Sequence, residues 1–329
     1  MSKKAYKKEK KESFLQKTVN FVLTVALACA ISSQMCTAAN NNLRIAQISD
    51  AHFSSSEGNT SYKMLKNSGE ILDDAILQLN TSGPYDFVIF TGDLVNIPQE
   101  SELEKFFTHA KKINYPWYAI NGNHDIAVGG TLTKKEFKKR LNSASKHMHG
   151  DSPYYVFTPK KGFRVLCLDS IIDYRITTNG EVSKEELLWI KEELDNHKKD
   201  VIIICSHVPI DEPFSSPNHK MKNEYELKSL LKGYNNPIIV LQGHYHCARA
   251  KQSGNIIYIT SPSLVTFPNG FRVININSNK NRTAVDIFLK ETNLKETQMR
   301  AKLRVLGTEK LYGAEEDRNI TFEIKKEKE

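Results

Sequence analysis

The chain has 329 residues, 40% hydrophobic and 26% charged, with five cysteines. That composition excludes collagen-like, low-complexity and disulfide-dense classes and supplies enough apolar residues for a sizeable core, in one α/β domain or two. The net charge of +8 comes mostly from the first segment: without its seven lysines and two glutamates, 46 basic against 38 acidic residues become 39 against 36, about +3. That balance gives no reason to expect nucleic acid or a membrane surface as partner.

Lys3, Lys4, Lys7, Lys8, Lys10, Lys11 and Lys17 precede an apolar run from Phe21 to Ile31, followed by Cys36-Thr37-Ala38-Ala39. This is the order of a secretory signal peptide over residues 1–39 and predicts a periplasmic or extracellular protein. The run is about eleven residues, against ~20 for a comfortable bilayer span. Extended back to Phe14 through Gln16, Lys17 and Asn20, it would instead make a poor membrane anchor, which is the alternative reading. Neither Cys29 nor Cys36 has a lipoprotein cleavage context, because Ala26 and Ser33 precede them where a branched apolar residue is usual. Cys167, Cys205 and Cys247 lie in or beside apolar stretches and read as core thiols.

From Leu43 onward, short β-branched runs alternate with stretches of helical periodicity, the pattern of an α/β domain. Strands are predicted at Leu43 to Ile48, Phe87 to Phe90, Trp117 to Ile120, Tyr154 to Phe157, Phe163 to Leu168, Val201 to Cys205 and Ile238 to Leu241. Three more follow at Ile256 to Ile259, Phe271 to Ile276 and Ala284 to Leu289. Helices are predicted at Gly69 to Leu79, Ser101 to Ile113, Lys134 to Ser145, Ser183 to His197 and Glu224 to Leu231. The fourth opens on a capping box, Ser183 with Glu186. The later strands are not all separated by helices, so a mixed sheet is expected. Residues 40–290 read as one catalytic domain and 291–329 as a charged extension, helix-like near Thr297 to Leu306 and ending in a solvated Lys/Glu tail.

Four of these strands end directly on a polar motif: Asp50-Ala51-His52, Gly92-Asp93, Gly122-Asn123-His124-Asp125 and Gly243-His244-Tyr245-His246. A fifth, Val201 to Cys205, is followed by His207. Residues at the carboxyl ends of neighbouring strands project into one crevice, where open α/β sheets place ligands. Imidazole, carboxylate and one amide oxygen, with no clustered thiolates, suit divalent ions of intermediate softness. A pair with one residue between puts both side chains on one side of a strand end, so Asp50 with His52 and His244 with His246 can each converge. The glycines before Asp93, Asn123 and His244 let the backbone turn and approach the site. Turn chemistry alone does not require five histidines and three carboxylates at five strand ends.

This set resembles the calcineurin-like metallophosphoesterase superfamily, in the pattern Asp-x-His, Gly-Asp, Gly-Asn-His-Asp/Glu, His and Gly-His-x-His, over roughly Leu43 to Leu289. The resemblance implies an α/β fold of two mixed β-sheets packed as a sandwich flanked by helices. It also implies two divalent metal ions (Mn, Fe or Zn), with Asp50, His52 and His246 on one, Asn123, His207 and His244 on the other, and Asp93 as bridge. His124 would serve the leaving group, with Asp125 orienting it. Two cations about 3.5–4 Å apart activate a shared hydroxide and neutralise charge during in-line attack, so the expected activity is hydrolysis of a small-molecule phosphomonoester or phosphodiester. A metal-binding envelope module without catalysis is the alternative.

Purple acid phosphatases carry glycine in place of His52 and tyrosine in place of Asn96, UDP-sugar pyrophosphatases arginine in place of His124, and protein phosphatases Asp-Arg-Gly after Gly-Asp. None of these features is present, and the chain is most similar to the bacterial class III group that includes cyclic-nucleotide phosphodiesterases. Asn96 departs from the aspartate frequent there. Substrate selection is expected from the loops Phe53 to Lys66, Ile126 to Thr133 and Asp211 to Asn223, with Phe214 and His219. His109, His147, His149 and His197 read as structural or exposed, and Tyr245 as packing away from the ligands. Trp117 and Trp189 read as core or helix-face residues, and with no basic stripe or aromatic platform no nucleic-acid substrate is expected.

Overall fold

A computed structural model describes residues 41–148, 150–305 and 308–326. The leader with Cys29 and Cys36, His149, Leu306 and residues 327–329 of the tail lie outside the described residues. In chain order the strands are β1 (Asn41–Ile48), β2 (Phe87–Thr91), β3 (Trp117–Ile120), β4 (Tyr155–Phe157), β5 (Phe163–Cys167), β6 (Val201–Ser206), β7 (Ile238–Gln242), β8 (Arg249–Ser253), β9 (Ile256–Thr260), β10 (Gly270–Ser278), β11 (Arg282–Glu291) and β12 (Ile320–Lys325). They form two six-stranded sheets, ordered β12-β11-β10-β1-β2-β3 and β4-β5-β6-β7-β9-β8. Both are mixed: β1-β2-β3 and β5-β6-β7-β9 run parallel, β10, β11 and β12 add antiparallel to one side of the first sheet, and antiparallel β4 and β8 form the two edges of the second.

Residue parity explains the sandwich. Leu43, Ile45, Phe87 and Ile89 from the first sheet share one core with Val165, Ile203, Cys205, Ile239 and Leu241 from the second. Their neighbours of opposite parity, Ala46, Val88, Phe90, Ile202, Ile204 and Val240, face outward into another core, lined by helices. Because alternate side chains point to opposite faces, strands buried on both faces must read as unbroken apolar runs, as Ile202-Ile203-Ile204 does. The helices are α1 (Ser68–Ser82), α2 (Glu100–Ala110), α3 (Lys134–Ala144), α4 (Lys184–Asn196), α5 (Glu224–Lys232), α6 (Lys295–Arg304), α7 (Thr308–Tyr312) and α8 (Glu315–Arg318). On the first sheet Phe90 meets Phe106 of α2 edge-on at 5.2 Å. On the second, Arg164 of β5 pairs with Glu193 of α4 at 2.9 Å. Ser183 caps α4 by accepting the Glu186 N–H at 3.1 Å. Cys167, Cys205 and Cys247 are buried free thiols.

Two strands escaped the sequence reading. Arg249–Ser253 has no apolar run, because β8 is an exposed edge strand. Ile320–Lys325 does alternate, with Ile320, Phe322 and Ile324 spaced by polar residues, a period-2 signal hidden in a charged terminus. It pairs with β11 from Arg282↔Lys325 to Ile287↔Ile320, so the segment beyond Glu291 returns to the first sheet. Ile256 to Leu289 forms consecutive strands as expected, but the chain changes sheets between β9 and β10. That crossing carries Ser263 beneath the first motif, where its hydroxyl donates to the Asp50 carbonyl at 2.8 Å. Among the described residues no helix is long and apolar enough to cross a membrane.

Candidate metal centre

The ends of β1, β2, β3, β6 and β7 meet at one edge of the sandwich, and backbone bonds lock the motifs together there. Asp50 N–H donates to the Gly92 carbonyl (3.1 Å) and His52 N–H to the Asp93 carbonyl (2.9 Å). From the other sheet, Gly243 N–H donates to the His207 carbonyl (3.1 Å) and His244 N–H to Asp50 Oδ2 (3.0 Å). Beneath them Gln47 of β1 donates to Thr91 Oγ1 of β2 and to the Gln242 carbonyl of β7, a polar tie between the sheets.

Among the described residues, the non-glycine residues with positive φ are Asp50 (51°), His52 (38°), Asp93 (51°), His244 (69°), His246 (53°) and Asn269 (58°). Left-handed backbone costs a non-glycine residue about 1–3 kcal/mol and persists where its surroundings over-determine it. Five of these six are motif carboxylates and histidines. The convergence of Asp50 with His52 and of His244 with His246 therefore has a different cause from the one expected: the chain has left the strand, and left-handed turns aim the pairs. Close approach explains the glycines. A Cβ on Gly92, itself at φ 90°, would stand 2.3 Å from His207 Nδ1, and one on Gly122 would stand 2.1 Å from Asp93 Oδ1.

The side chains form two clusters. In the first, His246 Nε2 lies 3.2 Å from Asp50 Oδ1 and 3.0 Å from His52 Nε2, which is 3.5 Å from Asp93 Oδ2. In the second, His207 Nε2 lies 3.4 Å from Asp93 Oδ1 and 3.2 Å from Asn123 Oδ1, with the His244 ring 4.9 Å away. Asp93 thus turns one oxygen toward each cluster. All seven residues expected as ligands come together, in the expected grouping.

The donors fit divalent cations. Asp50 Oδ1 and His244 Nε2 are buried without a hydrogen-bond partner, an arrangement that calls for one in a folded interior. Nitrogens each about 2.0–2.1 Å from one cation stand close to the 3.0 Å that separates His52 Nε2 from His246 Nε2. His207 Nδ1 donates to the Thr91 carbonyl at 2.8 Å, which leaves Nε2 free to face the second cluster. His52 differs, because its Nδ1 faces Lys63 Nζ at 3.2 Å. Lys63 is buried and also donates to Asn96 Oδ1 at 3.2 Å, while Asn96 Nδ2 donates to Glu57.

Charge is unevenly held. Burial works against ionisation of Asp93, yet His207, His124 and His52 outweigh it and hold the carboxyl well below the usual range. Burial also opposes the charge on His207, but Asp93 and Asp50 raise it to about 9. Burial together with His207 pushes its neighbour His244 down to about 3. Burial and Lys63 likewise hold His52 well below an ordinary histidine.

His124 stands at the rim, with its ring edge-on to that of His52 at 4.6 Å. Its N–H donates to Asp93 Oδ1 at 2.8 Å, and its Nδ1 lies 2.6 Å from the Asn96 carbonyl. Asp125, expected to orient His124, does not. Its carboxylate accepts the N–H groups of Val95 (3.0 Å) and Gly122 (2.8 Å), so it braces the loop that carries Asn123, and the Asn96 carbonyl takes the orienting place. Burial and Asp93 raise the Asp125 carboxyl to about 7.

A cleft of about 350 Å³ opens over the clusters, and Lys63, Phe214 and His219 from two of the three expected loops line it. Val305 and Leu311, from beyond Glu291, line it too, and no motif marked them or Lys63. Tyr245 packs on Phe214 at 5.0 Å as expected, yet it also forms part of the wall. His109 pairs with Asp73 and His197 with the Glu193 carbonyl, which are structural roles. Trp117 is core.

Residues 43–248 match the family model described as calcineurin-like phosphoesterase. A probable glycerophosphodiester phosphodiesterase, GpdQ, from Arcobacter nitrofigilis is 29% identical over 228 residues, 67% of this chain and 77% of that protein. A probable cyclic nucleotide phosphodiesterase from Moraxella catarrhalis is 25% identical over 218 residues, 63% of this chain and 72% of that protein. Among solved structures, a dimetal phosphatase from Danio rerio aligns with a TM-score of 0.61 at 17% identity, covering 74% of this chain and 95% of that one. That last likeness concerns the fold.

Proposed function

The chain belongs to the calcineurin-like phosphoesterase family and is a metal-dependent phosphoric ester hydrolase; from that premise we propose that it hydrolyses a small-molecule phosphodiester at the paired clusters sharing Asp93. The observation that carries this reading is the division of Asp93, whose two oxygens face separate sets of buried donors. Asp50, His52 and His246 would hold one divalent cation, and Asn123, His207 and His244 the other. Bound there, the cations supply positive charge to phosphate oxygens and an acidified water as nucleophile. His124 does the proton work. With Nδ1 donating to the Asn96 carbonyl, Nε2 faces the cleft, where in the protonated ring it can give its proton to the departing ester oxygen. Asp125 keeps the Gly122 turn closed so that Asn123 and His124 stay in place. The names of the two phosphodiesterase relatives support a diester as substrate.

Chelated protein reloaded with Mn²⁺, Zn²⁺ or Fe²⁺ should hydrolyse bis(p-nitrophenyl) phosphate. No turnover of this diester or of p-nitrophenyl phosphate with any of these metals would sink the reading. We also propose that the protein is exported through its leader; amino-terminal sequencing of the secreted or periplasmic form should begin near residue 40, and a purely cytoplasmic, full-length product would rule export out.

A further inference from the structure

The third loop expected to select substrate, Ile126 to Thr133, does not line the cleft over the metal clusters. It lines a second cleft of about 540 Å³, and the two share Asn123 and Thr178. Asn123 is one of the seven clustered residues, so the second cleft begins at the centre itself. Among the described residues, its walls carry no side chain of Asp, Glu, Lys, Arg or His. Ile126, Ile171 and Ile172 are nearly buried on this side, at 4–5% exposure, while Val128 (38%) and Ile176 (92%) stand open to solvent beside them.

The exposure of Ile176 is built into a tethered loop. Ile171 bridges to Gly180, and Gly180 bridges to Met221. Lys134 Nζ bonds the Ile171 carbonyl, the Thr178 hydroxyl bonds the Asn218 carbonyl, and the Lys220 N–H donates to Asn179 Oδ1 at 3.0 Å. The fold spends several hydrogen bonds on a loop that leaves an isoleucine in water at the wall of a cleft that also reaches Asn123. Large apolar side chains held together at a rim mark a place where apolar surface is to be covered.

We infer that this second cleft receives the other ester arm of the phosphodiester and selects an uncharged, aliphatic group there, with the phosphate at Asn123 and the departing arm beside His124 in the first cleft. The inference rests on the phosphodiesterase reading above. Its chemistry disfavours a second anionic group on that arm, because no lysine, arginine or histidine side chain among the described residues lines the cleft.

The test uses p-nitrophenyl alkyl phosphates, which share one leaving group and differ only in the retained arm, from methyl to hexyl. Hydrolysis forms a P–O bond from water and breaks the P–O bond to p-nitrophenolate, leaving the alkyl phosphate, so the rate of dye release reports the arm alone. In the metal-loaded enzyme, kcat/KM should rise about two- to fourfold per methylene until the cleft is full, the worth of a methylene withdrawn from water. Ile176→Asn and Val128→Asn should flatten that rise. Leu188→Asn, on the exposed outer side of α4, should keep both the level and the slope. A flat series in active wild-type enzyme overturns the inference and leaves the phosphodiesterase reading standing. A wild-type slope that survives both cleft substitutions also overturns it, by placing the arm elsewhere. Absence of turnover with any ester overturns the reading of the centre, and the inference with it.

Discussion

The two clusters contain nearly the same residue types, yet their surroundings treat them in opposite ways. Behind the second, His207 donates its outer N–H to the Thr91 carbonyl, an arrangement that raises the basicity of the nitrogen facing inward. Behind the first, His52 meets the Lys63 ammonium at 3.2 Å, whose charge adds to burial in opposing positive charge on that ring. The first cluster compensates with a carboxylate of its own, Asp50, whereas the second has the neutral amide of Asn123. Residue types alone would make the clusters near equals; the charges around them raise His207 in the second, through Asp93 and Asp50, and lower His52 in the first, through burial and Lys63.

Removing the shared element should erase the comparison. Asp93→Ala is expected to abolish detectable turnover, a loss of at least about 10³-fold, and to lower metal content at both clusters; retention of two metal equivalents by elemental analysis would contradict the bridging assignment. His124→Ala should cost about 10²–10⁴-fold in kcat while leaving metal content unchanged, because the backbone N–H that it gives to Asp93 Oδ1 survives the substitution. A parallel loss of metal would make His124 a ligand. Asp125→Asn should cost less, since its one amide oxygen still accepts one of the two backbone N–H groups, of Val95 or Gly122, that the carboxylate holds, and the acid limb of the pH–rate profile should stay where it was.

Acidity separates the clusters further. His207 carries a proton below about 9, and a cation must displace that proton to bind. The sign follows: the affinity of the second cluster should rise as pH rises, by about tenfold per unit, and level off above about 9. The first cluster, where His52 is held well below an ordinary histidine, should change less over pH 7–9. Calorimetric titrations at several pH values would show two classes of site diverging with pH; parallel curves would break the distinction. The smallest effect is expected from Lys63→Met. Without the ammonium 3.2 Å from His52 Nδ1, the first cluster should bind its cation several-fold more tightly, less than the roughly 10–100-fold change typical of substitutions behind a ligand. Weaker binding would instead give Lys63 a packing role.

Much of this was legible in the sequence, for identifiable reasons. The strands leading to the motifs are buried on both faces, so their apolar runs are unbroken, and ten of the twelve could be placed. β12 was missed because its alternating Ile320, Phe322 and Ile324 sit in a charged terminus, and β8 because an edge strand needs no apolar run. Cys167 and Cys205 could be read as core thiols because they continue those runs. Asp125 was misread for another reason. Adjacent residues invite pairing, but a carboxylate next to two free backbone N–H groups bonds them first, and His124 turned to a carbonyl from a different loop.

By itself, the sequence determined which side chains stand at the ends of which strands, since a run of apolar residues closed by Gly-Asp or Gly-His records its own boundary. It therefore carried the motifs on which the family resemblance rests, and through that resemblance the sandwich and the seven clustered residues. Only the tertiary structure decided how those residues face one another: the left-handed turns at Asp50, His52, Asp93, His244 and His246, the lysine behind His52, and the uncharged cleft beyond Asn123. Those features depend on backbone bonds and contacts between segments far apart in the chain, such as His244 N–H to Asp50 Oδ2 across 194 positions. No local pattern encodes a partner that distant.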